Sequence, residues 1–227
     1  MDEAEWLECK DPDPMLRFIR YQATHRKRRL FASACCRRAW HLISETDRAA
    51  VHINEQLADR APSEAEFTRV AHFIPQYQRR TSPPDPDSPE SWAAWAAWHA
   101  TASPGYAEDC ARCAAHGISE GLAREAGNLH DQWLIRVSEW ATQAGMLRCI
   151  FGPIPFRLVF ADSRWRTSAV MGLVHTIYND RGFDLLPILA DALEDAGCDN
   201  ADILTHCRSP GPHVRGCWVV DLLLGKE

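Results

Sequence analysis

The stretch RKRRLFASACCRRAWHLIS, residues 26–44, decides the fold class of this chain. Leu30, Phe31, Ala34, Ala39, Trp40 and Ile43 are read as the apolar side of a helix. No proline and no β-branched run interrupts the segment, so a helix over roughly 26–44 is expected.

Working outward, the same signals recur. Asp13-Pro14 reads as an N-cap with proline at the first helical position, opening MLRFIRY. Ser63 and Glu66 form an S-x-x-E capping box before FTRVAHFI. Thr167 caps SAVMGLVHTIYND, and Asp184 caps LLPILADALEDA, where Pro187 falls in the first turn and Gly197 offers a left-handed stop. Alanine is abundant throughout, which favours helix over strand. The fold expected is all-α, a compact multi-helix bundle. At most one or two short strands would arise near residues 151–161, where FGPIPFRLVF is apolar and proline-bounded.

The stretch TSPPDPDSP, residues 81–89, cannot continue a helix and reads as an exposed loop. It separates an N-terminal helical region (1–80) from Ala- and Trp-rich helices (90–150), with a C-terminal helical region (151–227) beyond them, all expected in one compact body. Gly117, Gly121 and Gly127 are points where the middle helices could kink or break.

The formal net charge of −6 gives no whole-molecule attraction to nucleic acid or anionic lipid. No apolar stretch approaches the length of a membrane span, and MDEAEWLECK has neither the basic start nor the apolar core of a signal peptide. A cytoplasmic protein without membrane contact is expected. Nine cysteines at irregular spacings do not make a disulfide framework. Most should be buried thiols acting as small hydrophobes.

Four potential ligands, Cys198, His206, His213 and Cys217, lie close together in sequence, with Cys207 as an alternative fourth. Zinc favours four thiolate or imidazole donors in a tetrahedron, and His213 and Cys217 would share a helix face at i and i+4. The spacing matches no common finger or ribbon, so the plainer reading is core thiols and hydrogen-bonded histidines. Cys110, Cys113 and His116 also have ligand-like spacing, but on an Ala-rich helix they suit a packing stripe better. Gly117-Ile118-Ser119-Glu120-Gly121 matches the nucleophile-elbow pattern, yet its flanks are helical where the motif needs a strand before the serine. Cys35 and Cys36 share their helix with Leu30, Phe31 and Trp40, which favours burial over reactivity.

Charge is segregated near the N-terminus. Arg26, Lys27, Arg28, Arg29, Arg37 and Arg38 fall in a stretch without acids, preceded by a strongly acidic leader. Such a face suits phosphate or nucleic acid, with Arg79 and Arg80 adding to it if they fold nearby, but intramolecular pairing fits the overall charge better. Trp92, Trp95 and Trp98 recur every third residue as an aromatic stripe, expected to pack inward or, alternatively, to anchor a protein partner.

The stretches EAEWLECKDPDPMLRFI, RKRRLFASACCRRAWHL and LRCIFGPIPFR, with the ending LPILADALEDAGCDNADILTHCRSPGPHVRGCWVVDLLLGKE, resemble a bacterial family that occurs as many related copies per genome. The resemblance implies no activity, cofactor or catalytic residue, and its copy number suggests an adaptor, regulatory or conflict-related role. The phosphate-loop, H-E-x-x-H, dinucleotide and di-iron signatures are absent. The function expected is therefore a non-enzymatic helical interaction or regulatory module acting on a protein partner, with a structural zinc site as an added element. The alternatives are a metal- or thiol-dependent enzyme at the C-terminal Cys/His cluster, and nucleic-acid binding through the basic helix.

Overall fold

A computed structural model describes residues 1–59, 85–101, 107–153 and 155–226. Among these the chain is all-α: eleven α-helices, three short 3-10 turns and no strand. The helices are α1 (Glu3–Glu8), α2 (Pro12–Phe18), α3 (His25–Arg38), α4 (Glu45–Asp59), α5 (Pro89–Thr101), α6 (Ala107–Arg124), α7 (Leu129–Phe151), α8 (Ser168–Asp180), α9 (Leu186–Asp195), α10 (Ala201–Arg208) and α11 (Trp218–Leu224). The short strands expected near 151–161 do not form among the described residues. Gly152 turns the chain in the left-handed region (φ 53°), and Pro153 and Pro155 have no N–H to give a ladder. The Ser63/Glu66 capping box, Arg79, Arg80 and the start of the Pro-rich loop lie outside the described residues. None of the described helices is long and apolar enough to cross a membrane.

The chain divides into two compact units, Cys9–Ala144 and Met1–Glu8 with Gly145–Glu227. In the first unit the expected 26–44 helix is shorter: α3 stops at Arg38, Ala39 leaves helical geometry (φ −109°, ψ 36°), and Trp40–Leu42 form a 3-10 turn. The α2 cap also shifts. Asp11, not Asp13, is the N-cap: its carboxylate accepts the Asp13 N–H, and Pro12 takes the first helical position. Leu30, Phe31, Cys35, Cys36, Val51 and Ile118 are fully buried.

Gly117 and Gly121 do not break α6. A Cβ at Gly117 would lie 2.9 Å from the Trp95 side chain and 3.0 Å from the Trp92 carbonyl oxygen, and one at Gly121 would lie 3.0 Å from the Pro89 carbonyl oxygen. These glycines let α5 and α6 approach closely, which explains their presence inside a helix.

Arg38 donates to Glu139 Oε2 at 3.1 and 3.2 Å, while the Gln143 side-chain amide donates to Oε1 at 3.2 Å. Burial raises the Glu139 carboxyl above its ordinary 4.5, and Arg38 offsets this only in part. A carboxyl raised on folding holds its proton more readily in the folded chain. Its contribution to stability is therefore complete below pH 4.5 and is lost as pH rises through the folded value. Glu139→Gln removes this titration and keeps an acceptor for Arg38. The variant's urea midpoint is expected to gain on the wild type between pH 4.5 and neutrality. Parallel profiles over that range would show that Glu139 does not carry the dependence.

In the second unit Val174, Ile177, Leu189, Leu193, Ile203, Val219 and Leu223 form the buried centre. Thr167 caps α8 by accepting the Val170 N–H, and Asn200 caps α10 by accepting the Ile203 N–H. Asp184 is not the cap of α9. It sits in the 3-10 turn Phe183–Leu185, and Leu185 precedes the helix without a side-chain cap bond. Gly197 supplies the left-handed stop (φ 86°), and the Cys198 N–H then donates to the Leu193 carbonyl.

Candidate metal centre

Among the described residues, the second unit gathers one group of metal-ligating side chains. Cys149, His206, His213 and Cys217 place one donor atom each within 4.8 Å of one another. Cys149 comes from the last turns of α7, His206 from α10, His213 from the irregular segment after it, and Cys217 from the residue preceding α11.

Local chemistry fixes each donor. Ser209, in extended geometry, ends α10, and Pro210 and Pro212 prevent helix from resuming because neither has an N–H. Gly216 then turns in the left-handed region (φ 92°), and the Cys217 N–H donates to the Val214 carbonyl. His213 and Cys217 are thus in a turn, not one helical step apart as expected: α11 begins only at Trp218.

The histidines present different nitrogens. His213 Nε2 lies 3.0 Å from the Ser209 carbonyl oxygen, so its proton belongs there and Nδ1 is left as a bare donor, 3.7 Å from Cys149 Sγ. His206 presents Nε2, 3.2 Å from Cys217 Sγ. The Val214 N–H donates to Cys149 Sγ at 3.4 Å, a bond that favours sulfur as thiolate.

Without an ion the two thiols share the burden unequally. Burial alone would push Cys217 up, but Cys149, His206 and His213 hold it well below the ordinary thiol value. Burial and the facing Cys217 push Cys149 well above it. His213 is raised: burial lowers it, and its bonds to Cys217 and Ser209 more than compensate. The cluster is built to carry negative charge on sulfur next to imidazole, which a divalent ion would stabilise in full. A metal ion can be held here.

Two glycines seat α7 against this segment. A Cβ at Gly145 would meet Pro212 Cγ at 2.7 Å, and one at Gly152 would meet the Trp218 ring at 2.6 Å. Cys149 is flanked by both.

The structure thus brings together His206, His213 and Cys217, and adds Cys149 where sequence spacing had suggested Cys198. Cys198 lies outside the group, buried with its thiol raised by burial, and Cys207 is likewise a core thiol. In the other unit Cys113 is half-buried and His116 exposed, both on α6. Ser119 is no exposed nucleophile: it is buried inside α6 and donates to the Ala115 carbonyl at 3.0 Å.

The cationic side chains of α3 are engaged within their own unit. Arg26 pairs with Asp59 at 3.2 Å, Arg29 with Asn54 at 2.5 Å and Arg38 with Glu139. Arg37 forks onto both oxygens of Glu55 at 2.7 Å each. Arg28 donates to the Arg20 carbonyl, and Lys27 is buried. Trp92, Trp95 and Trp98 are half-buried, while Ala93, Ala96, Ala97 and Ala100 take the buried face of α5. Trp92 and Trp95 meet edge to face at 6.0 Å, and His99 packs against Trp95 and Trp98 at 4.2 and 4.3 Å.

Comparisons with protein-family models, curated proteins and solved structures gave no match.

Proposed function

We propose that the unit formed by Met1–Glu8 and Gly145–Glu227 is a zinc-stapled helical module with an interaction or regulatory role rather than a catalytic one. The convergence of two thiols and two imidazoles within 4.8 Å, from four separate stretches of backbone, carries this reading. Two sulfur and two nitrogen donors suit zinc, and four protein donors fill a tetrahedron without leaving a position for a reactive water. That is the pattern of a structural ion. The same unit presents Leu158 and Phe160 largely exposed, which supports a protein partner over a small substrate.

Protein purified without chelators is expected to contain about one equivalent of zinc, with two sulfur donors near ~2.3 Å and two nitrogen donors near ~2.0 Å by X-ray absorption. Zinc below roughly a tenth of an equivalent, both as purified and after reloading, would reject the centre.

A further inference from the structure

The cluster is not sealed on every side. A cavity of about 500 Å³ in the same unit is lined by Cys149, His206 and His213, with Trp6, Pro153 and Trp218 among its walls. Cys217 does not line it, and both cysteines are buried, Cys149 at 2% and Cys217 at 1% exposed. Of the two ligand cysteines only Cys149 belongs to the cavity wall, although their sulfur atoms lie within 4.8 Å of one another.

Building on the zinc reading, we propose that Cys149 is a hydroperoxide-reactive thiolate reached through this cavity, and that Cys217 resolves it as a disulfide, expelling the ion. Coordination keeps both sulfurs deprotonated, and the thiolate is the nucleophilic form. The Cys149 thiolate attacks one oxygen of hydrogen peroxide. An S–O bond forms, the O–O bond breaks and hydroxide leaves, so sulfur gives up two electrons and becomes a sulfenic acid. The Cys217 thiolate then attacks the Cys149 sulfur, the S–O bond breaks, and a second hydroxide leaves as the disulfide forms. Two thiolates and one peroxide give one disulfide and two hydroxides, and zinc keeps its oxidation state. Left with two imidazoles, it dissociates.

The other described cysteines lack this combination. Cys35, Cys36 and Cys207 are as buried as Cys149, but among the described residues they join no metal-ligating group, so burial favours their thiol form with no ion to oppose it. Cys9 and Cys113 are half-buried and, among the described residues, belong to no metal-ligating group, so they serve as internal comparators.

The test uses the zinc-loaded full chain and hydrogen peroxide, with zinc content measured first. Released zinc is followed with a chromophoric chelator, and oxidised cysteines are mapped by peptide mass spectrometry with dimedone trapping at early times. About one equivalent of zinc is expected per equivalent of peroxide, with a Cys149–Cys217 disulfide and the early dimedone adduct on Cys149. Early trapping on the wild type carries the test, because Cys217→Ser would also remove a zinc donor. Zinc retained against peroxide, or a first adduct on Cys217, Cys9 or Cys113, overturns the proposal and leaves the zinc centre standing. Protein that never holds zinc overturns both.

Discussion

Chelating the ion from the purified protein is expected to lower the thermal midpoint of the Met1–Glu8/Gly145–Glu227 unit by about 10 °C or more. Structural zinc contributes roughly 10–16 kcal/mol in small modules that have almost no other core. This unit has an apolar centre of its own, so it should loosen rather than lose all structure. A loss of only about 2 kcal/mol already moves a domain of this size by roughly 8–16 °C. The metal-free cluster also keeps at a buried site the sulfur charge that Cys149, His206 and His213 favour on Cys217, without an ion to compensate it. Calorimetry before and after chelation, with zinc added back, measures the effect. Two substitutions separate this ligand set from the one that sequence proximity suggests: Cys149→Ser should abolish zinc retention, and Cys198→Ser should leave zinc content unchanged. Equal retention in both would place the ion elsewhere.

Gly152→Ala is expected to destabilise the protein by about 2–5 kcal/mol. A left-handed backbone costs a residue with a Cβ roughly 1–2 kcal/mol, and forcing an atom into a filled core costs about 1–3 more. Both penalties fall on one position: φ is +53°, and the added carbon would sit 2.6–2.7 Å from three atoms of the Trp218 ring. Trp218 is itself 2% exposed and has little room to yield. Gly172 supplies a control of opposite sign. It lies in α8 with nothing within 4 Å of the added carbon, so Gly172→Ala should stabilise by roughly 0.5–1 kcal/mol through helix propensity. Urea midpoints of the two variants should move in opposite directions. Similar shifts in both would mean that the Gly152–Trp218 contact does not constrain the fold.

The helices were legible because their signals are local. Thr167 and the Pro187/Gly197 punctuation act within a few residues of where they stand, and the structure uses them as read. The exceptions have local causes too: Asp11 offers a cap two residues ahead of Asp13, and two prolines with a left-handed glycine keep 210–216 out of α11. Three of the four donors were legible because a single turn brings them together. Cys149 was not, since helical periodicity says only that it is buried, and a buried cysteine is most often a small hydrophobe. Its signal lay in its neighbours. Gly145 and Gly152 mark a helix end approached closely by other groups, and the cysteine between them faces what approaches. Cys198 stood nearer in sequence, but its place is fixed by the end of α9, where its N–H closes the helix on Leu193.

Cys149 and Cys217 are neighbours in space and distant in sequence, and that separation has a consequence for the unfolded chain. An ion binding both would close a loop of roughly 70 residues, which in the chain-entropy view of a cross-link removes about 4 kcal/mol of freedom from the denatured ensemble. Much of its benefit would then be felt by the unfolded state, as with a disulfide. The knot would nonetheless be reversible, tied and untied at equilibrium by the free concentration of a metal ion, so the length of chain allowed to wander would track the metal supply around it.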